Sequence, residues 1–170
     1  MKREVRIALT GFMGVGKSSV ARHLENITGC RRVDLDALIE STERRSIAEI
    51  IDSDGIDTYR TIETEHLKRV VATDAGCVLS LGGGTWTVPE NRDLIQGRQF
   101  TSIWLESTFE HCWYNIKFSR KDRPLARNKN DAQKLFNDRQ KLYCLADWHF
   151  VIRPEFNSYE IAHQILEQIA

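Results

Sequence analysis

Short apolar runs alternate along the chain with longer segments whose apolar residues recur every three or four positions. The apolar runs predict strands at Val5–Leu9, Arg32–Leu35, Cys77–Leu81, Phe100–Leu105 and His149–Ile152. The periodic segments predict helices, most clearly at Glu63–Val71, Glu90–Ile95 and Ala132–Ala146. Strands that alternate with helices are joined by right-handed crossovers. The pattern therefore predicts an α/β fold in which helices cover both faces of a parallel sheet.

One segment has no apolar face. Ser119–Asn130 is polar, carries five basic residues against one acidic residue, and has Leu125 as its single apolar anchor. A loop of this length in a compact domain is often a mobile lid over an active site. A solvated surface loop would have the same composition, so the pattern leaves both interpretations open.

The first predicted strand and the helix predicted after it, Ser18–Leu24, enclose a glycine-rich loop. Gly11–Ser18 fits the spacing G-x-x-x-x-G-K-[ST], which a chance turn rarely matches. Its glycines would let backbone N–H groups turn inward around a phosphate, Lys17 would reach the β- and γ-phosphates, and Ser18 would ligate Mg²⁺. The phosphate would lie at a helix N-terminus, where negative charge is favoured. We therefore expect the chain to bind a nucleoside triphosphate, or to descend from one that did.

Two aspartates lie at the end of the second predicted strand, and three glycines follow the third. Asp34 and Asp36 are two residues apart, so an extended chain would point both side chains the same way. Ligands bind at the carboxyl ends of parallel strands, where one carboxylate could hold Mg²⁺ through water and the other could orient an attacking hydroxyl. Asp36 could instead cap the helix Ala37–Ser41. The triplet Gly82–Gly84 either exposes bare backbone to a ligand or forms a tight turn.

Two arginines are predicted to point inward. Arg139 lies four residues after Leu135 and three before Leu142, on the apolar face of its helix. Arg60 lies three residues before Glu63, and an ion pair between them would leave some guanidinium donors unused. A buried arginine needs an anionic partner. In a chain with a phosphate loop, these arginines indicate a second, anionic substrate such as a carboxylate.

Composition narrows the class of protein. The chain has 170 residues with 24 basic and 24 acidic side chains, a balance that suggests neither a nucleic-acid nor a membrane partner. Its cysteines are Cys30, Cys77, Cys112 and Cys144. Their spacing suits no metal site and is typical of a reduced chain with buried thiols. No apolar run approaches the ~20 residues of a membrane span, and the first strand starts within five residues of Met1, so we expect no targeting peptide and a cytoplasmic location.

These motifs resemble those of the shikimate kinases over nearly the whole chain. The matching stretches are Gly11–Ser19, Asp34–Glu40, Ser46–Ile51 with Gly55, Tyr59–Glu63, Gly82–Gly84 with Asn91 and Arg92, Arg123–Leu125, and Arg139 to Tyr143. Each motif alone is a weak signal, whereas their order and spacing together are specific.

That resemblance implies a three-layer P-loop kinase fold, similar to the nucleoside monophosphate kinases, with a five-stranded parallel sheet. Residues 1–170 would form a single domain, with a helical substrate-binding insertion near residues 36–63 and a lid near residues 119–130. The implied reaction is a Mg²⁺-assisted, in-line transfer of a phosphoryl group from ATP to shikimate, giving shikimate 3-phosphate and ADP. The expected partners are ATP and shikimate, and the expected oligomeric state is a monomer.

The resemblance also implies a role for each matching residue. The residues expected at the reacting phosphoryl group are Lys17, Asp36 and Arg123. Those expected to bind ATP are Gly14, Val15, Gly16, Lys17, Ser18, Ser19 and Arg123. Those expected to bind shikimate are Asp36, Arg60, Gly82, Gly83, Gly84 and Arg139. The arginines would hold its carboxylate and Asp36 its reacting hydroxyl, while Ser18 and Asp34 would lie at Mg²⁺.

The chain departs from the family pattern at three places. Ile56 follows Gly55 where glutamate is usual, Asn115–Lys117 stands where an adenine-stacking arginine is usual, and Ala126 replaces a second leucine of the lid. Two other interpretations are a kinase for another small hydroxy acid such as gluconate, and a non-catalytic nucleotide-binding relative. Against the first, the chain lacks the Asp-Gly-Asp and Leu-His-Pro stretches of the gluconate kinases. Against the second, a module that only binds nucleotide has no need of Asp36.

Overall fold

The structure is a computed structural model and describes residues 5–169. In this range the chain forms five β-strands, eight α-helices and two 3₁₀ helices, Thr85–Thr87 and Pro124–Ala126. The strands are β1 (Ile7–Thr10), β2 (Arg32–Asp34), β3 (Val78–Ser80), β4 (Thr101–Glu106) and β5 (Trp148–Val151). The helices are α1 (Lys17–Thr28), α2 (Leu35–Glu43), α3 (Ile47–Asp54), α4 (Ile56–Ala72), α5 (Pro89–Gly97), α6 (Phe109–Phe118), α7 (Lys129–Tyr143) and α8 (Ser158–Ile169). None of the helices within residues 5–169 has the length and apolar character needed to cross a membrane.

All five strands pair in parallel, in the order β2-β3-β1-β4-β5. This confirms the predicted α/β fold with a parallel sheet. β1 lies at the centre, and its consecutive residues Ile7, Ala8 and Leu9 are fully buried, so both faces of the sheet are covered there. Strands β2 and β3 lie on one side of β1, and β4 and β5 lie on the other. Such a reversal of strand order leaves a crevice outside the carboxyl ends of the strands, and the phosphate loop between β1 and α1 borders it.

Three helices occupy the segment predicted to bind substrate, residues 36–63. The first is α2, and α3 begins with a capping box in which Ser46 and Glu49 satisfy each other's backbone N–H groups. Gly55 joins α3 to α4 at φ 91°, a conformation that residues with a side chain rarely adopt. Ile56, one of the departures from the family pattern, starts α4 and packs against the core.

The predicted lid lies between α6 and α7, and its last two residues belong to α7 because Asn128 caps that helix. The expectation of Leu125 as its apolar anchor is wrong. Leu125 is half-buried, whereas Ala126 is 3% exposed and packs against Phe109 and Ala132. The small methyl group of Ala126 fits this site, and it fixes the second half of the lid against α6 and α7.

The expectation of four reduced, buried thiols is also wrong. Cys30 precedes β2 and Cys77 precedes β3, and the structure joins them in a disulfide with 5.8 Å between their Cα atoms. The two cysteines are 47 residues apart in sequence, and the parallel pairing of β2 with β3 brings them together. Of the other two, Cys112 is buried as expected and Cys144 is exposed.

Candidate active site

A cavity of about 610 Å³ opens at the carboxyl ends of β1, β2 and β3. All of the site residues predicted from the sequence line it, although they come from five separate parts of the chain. These parts are the phosphate loop with the start of α1, the start of α2, the start of α4, the glycine triplet after β3, and the lid with α7. The fold therefore brings together residues that the sequence connected only through motifs.

The phosphate loop takes the backbone conformation that its glycines allow. Gly14 and Gly16 have φ values of 80° and 106°, and Gly16 is the N-cap of α1. The Lys17 ammonium is buried and donates hydrogen bonds to the carbonyl oxygens of Gly11 (2.7 Å) and Phe12 (3.0 Å). Burial lowers the pKa of Lys17 to about 8. A phosphate in the loop would supply the negative charge that the buried ammonium needs.

Ser18 and Asp34 form a pair of oxygen donors at the edge of the loop. The Ser18 hydroxyl donates to Asp34 Oδ2 at 2.6 Å, and Asp34 Oδ1 accepts from the Ala37 N–H at 3.1 Å. Asp34 is thus the N-cap of α2, so the alternative of Asp36 as the cap is wrong. Within residues 5–169 no three His, Cys, Asp or Glu side chains cluster as a metal site. Two hard oxygen donors beside a phosphate loop suit Mg²⁺, which usually keeps waters and takes its other ligands from phosphates.

Asp36 lies in the first turn of α2 and faces the middle of the cavity. The Tyr59 hydroxyl lies 3.5 Å from its Oδ1 atom, and the Lys121 ammonium of the lid lies 3.5 Å from its Oδ2 atom. A side chain on Gly82 would put a Cβ atom 2.6 Å from Asp36 Oδ1. Glycine at this position therefore makes room for the carboxylate.

Arg60 is held at the cavity by a buried carboxylate. Glu63 is fully buried and accepts hydrogen bonds from Arg60 Nη1 (2.7 Å), the Tyr59 hydroxyl (3.2 Å) and the Thr85 hydroxyl (2.7 Å). The ion pair between Arg60 and Glu63 expected from their spacing is present. A Cβ atom on Gly84 would overlap the Arg60 guanidinium, so this glycine also makes room for a charged group.

Arg139 is the most unusual group in the cavity. It is only 6% exposed, and its Nη1 atom has no hydrogen-bond partner among residues 5–169. Burial lowers its pKa. Gly83 lies against it, so that a Cβ atom there would be 3.1 Å from Nη1. The Tyr143 hydroxyl donates to the Gly83 carbonyl oxygen at 2.5 Å and so fixes the glycine triplet beside the arginine.

The lid contributes Arg123 and is tied to α3. The Arg123 side chain is half-buried, which lowers its pKa, and Nη1 donates to the Lys121 carbonyl oxygen at 3.2 Å. Arg127 bridges Asp52 of α3 (2.6 Å) and Asp122 of the lid (2.9 Å). In this arrangement the lid covers the cavity above Asp36.

The far end of the cavity is lined by residues of α6 and of the loop after β5. Asn115 stands where the family usually has its adenine-stacking arginine, and Ser119 begins the predicted lid, whereas the sequence motifs did not indicate His111, Pro154 and Phe156. The Asn115 amide donates to the Gly14 carbonyl oxygen at 2.7 Å, so this departure from the family pattern supports the phosphate loop. One available signal was the position of residues 153–156 directly after a predicted strand, at the edge of the sheet where ligands bind.

Comparisons with known proteins agree with this geometry. The sequence model of the shikimate kinase family matches residues 13–170. The shikimate kinase of Geobacter metallireducens is 38% identical over 144 residues, which cover 83% of this chain and 79% of that protein. The enzyme of Brucella canis is 30% identical over 167 residues, covering 96% and 82%.

Solved structures give the same result. The shikimate kinase of Acinetobacter baumannii in complex with shikimate superposes with a TM-score of 0.88 at 29% identity, covering 97% of this chain and 92% of that one. The enzyme of Aquifex aeolicus superposes with a TM-score of 0.80 at 27% identity, covering 97% and 96%. The chain therefore belongs to the shikimate kinase family of small-molecule kinases.

Proposed function

We propose that this protein transfers the γ-phosphoryl group of ATP to a hydroxyl of shikimate, giving shikimate 3-phosphate and ADP. The observation that carries the proposal is the buried Arg139, whose Nη1 atom lacks a partner and lies in the same cavity as the phosphate loop. A buried guanidinium without a partner is costly, and a carboxylate is its best-matched ligand. Family membership and the shikimate bound to the A. baumannii relative support shikimate as the acid.

In this reaction the carboxylate of shikimate would lie between Arg139 and Arg60, below the glycine triplet Gly82–Gly84. The reacting hydroxyl would then face Asp36, which accepts its proton as the oxygen attacks the γ-phosphorus. The bond from that phosphorus to ADP breaks on the opposite side. Lys17 and Arg123 would stabilise the negative charge of the phosphoryl group in transfer.

The nucleotide would bind with its phosphates in the loop formed by Gly14, Val15, Gly16, Lys17, Ser18 and Ser19. Its base would then lie at the far end of the cavity, between Asn115 and Pro154. Ser18 and Asp34 would hold Mg²⁺, partly through water. Bound there, Mg²⁺ would supply positive charge that neutralises the phosphates.

The proposal extends to the organisation of the chain. Residues 1–170 would form one domain, in which residues 36–63 bind the acid and residues 119–130 close over the phosphates. The protein acts in the cytoplasm as a monomer, with ATP and shikimate as its partners.

The test is an ADP-release assay with shikimate, gluconate and quinate, on the wild type and on Arg139→Ala. We expect turnover with shikimate only. Loss of a charge-assisted contact worth about 1.5–3 kcal/mol should raise the shikimate KM of Arg139→Ala by about one to two decades. The KM for ATP should change much less, because the contact that is lost is the one proposed to the carboxylate of the acid. Arg22→Ala, an exposed arginine on α1, is the matched control.

Turnover with gluconate but not shikimate would show a kinase for another hydroxy acid. Tight ATP binding without ADP release with any acid would show a non-catalytic relative. An unchanged shikimate KM in folded Arg139→Ala would contradict the carboxylate site.

A further inference from the structure

A lid lysine reaches the carboxylate proposed to activate the substrate. Lys121 Nζ lies 3.5 Å from Asp36 Oδ2 and crosses the cavity to do so. Neither the motif analysis nor the proposed reaction uses Lys121. A reacting hydroxyl that donates to Asp36 Oδ2 would have to displace this ammonium, because both groups would need the same oxygen.

The two other cations proposed to act on the phosphoryl group donate to backbone oxygens. Lys17 donates to the carbonyl oxygens of Gly11 and Phe12, and Arg123 donates to the Lys121 carbonyl oxygen. Among residues 5–169, Lys121 is the one cation with a nitrogen within 4.0 Å of the Asp36 carboxylate. Its ammonium is therefore the group that competes directly for that carboxylate.

Contacts of the lid with neighbouring helices hold Lys121 near Asp36. Arg127 joins the lid to Asp52 of α3, and the buried Ala126 fixes it against α6 and α7. The hydrogen bond from Arg123 to the Lys121 carbonyl oxygen links the backbone of Lys121 to the arginine proposed to act on the phosphoryl group. Displacement of Lys121 from Asp36 and placement of Arg123 are therefore coupled through one short stretch of backbone.

We infer that Lys121 pairs with Asp36 until a hydroxyl acceptor displaces it, and that this pairing suppresses transfer of the phosphoryl group to water. The inference rests on the proposed role of Asp36 as proton acceptor.

The suppressed side reaction is simple hydrolysis. A water oxygen attacks the γ-phosphorus, the bond to the β,γ-bridging oxygen breaks, and the water proton goes to Asp36, giving ADP and phosphate. While Asp36 is paired with an ammonium it is a poor acceptor for that proton, because protonation would break the ion pair. The shikimate hydroxyl, positioned by a carboxylate bound at the two arginines, can displace the ammonium, whereas free water has no such second anchor.

The test compares Lys121→Met with the wild type. Loss of a partly exposed ion pair should raise ATP hydrolysis without any acid about two- to five-fold. The shikimate KM should fall by a similar factor, because the acid no longer competes with the ammonium. The kcat with saturating shikimate should change less than about two-fold, since Lys121 is already displaced in that complex. Lys121→Arg keeps the cation, so its ATP hydrolysis, shikimate KM and kcat should equal those of the wild type.

Two further variants separate this role from a general effect on the lid. Lys129→Met removes a lid lysine that pairs with Glu110, also at 3.5 Å, but outside the cavity. This variant should leave both ATP hydrolysis and the shikimate KM unchanged. In an Asp36→Asn background, Lys121→Met should give no further rise in ATP hydrolysis.

Two results would overturn the inference while the proposed function stands. One is normal shikimate phosphorylation with unchanged ATP hydrolysis and KM in Lys121→Met. The other is a fall of kcat of more than about ten-fold without a rise in hydrolysis, which would place Lys121 at the phosphoryl group instead. Wild-type protein that releases no ADP with shikimate would overturn the proposed function itself.

Discussion

At the scale of single residues, the charge of Lys17 depends on what occupies the phosphate loop. Burial disfavours the ammonium and lowers its pKa from 10.5 to about 8, while the Asp36 carboxylate acts in the opposite direction. Between pH 10.5 and about 8, the unfolded chain binds more protons at Lys17 than the native protein does. The contribution of Lys17 to the free energy of unfolding is therefore fully present above the unfolded pKa, and it is lost as the pH falls through about 8. Phosphates in the loop would reverse the shift, because they favour the charged form.

MgADP binding should consequently take up protons near the pKa of Lys17. At pH about 8, roughly half of a proton should enter per nucleotide bound, and the uptake should vanish near pH 6, where Lys17 is already charged. Calorimetric titration in two buffers of different ionisation enthalpy measures this uptake. Lys17→Arg, whose side chain stays charged, is the control. Equal uptake by both proteins would mean that another group titrates.

At the scale of elements, the lid has two halves with different support. Residues 119–122 are exposed, whereas Pro124–Ala126 form a 3₁₀ turn whose last residue is buried against α6 and α7. Arg127 adds ion pairs to Asp52 and Asp122, and all three of these side chains are about half-exposed, so the pairs stabilise the lid only weakly. Opening should therefore be easiest in the first half, which carries Lys121.

Hydrogen exchange should report this division. Amides of residues 119–123 should exchange fast in the protein alone and slow when MgADP and shikimate are added, because closure orders them. Amides near Ala126 should be protected under both conditions, and α5, which does not line the cavity, serves as the internal control. Equal exchange of residues 119–123 with and without ligands would support the surface-loop interpretation.

Sequence reasoning reached the parts of the site whose signals are local. Lys17 and Ser18 belong to the loop motif after β1, and Asp34 ends β2, so the motif and the strand ends together place them at one edge of the sheet. Arg139 was found because helical periodicity identifies an inward face. Lys121 and Ala126 gave no such signal, because a loop has no period and its contacts depend on how the lid packs on α3, α6 and α7.

At the scale of the whole molecule, strand order determines which distant residues meet. The alternation of strands and helices predicts a parallel sheet but not that β2 is the neighbour of β3. That neighbourhood pairs Arg32 with Val78 and so places the two preceding cysteines side by side at the amino ends of the strands. The active-site cavity opens at the opposite ends. A disulfide at the amino ends would therefore affect the stability of the sheet rather than catalysis.

The last prediction concerns the disulfide between Cys30 and Cys77. Protein purified in air should contain two free thiols per chain when titrated in denaturant, and four after reduction. Because the disulfide closes a loop of 47 residues, reduction should lower the free energy of unfolding by up to about 4 kcal/mol in the chain-entropy account. Urea unfolding with and without reductant measures the difference. Cys30→Ala should match the reduced wild type in stability and keep normal shikimate turnover, whereas Cys144→Ala, at the exposed cysteine, should change neither. Four free thiols in the unreduced protein would mean that the pair stays reduced, as expected of a cytoplasmic chain, and the stability difference should then disappear.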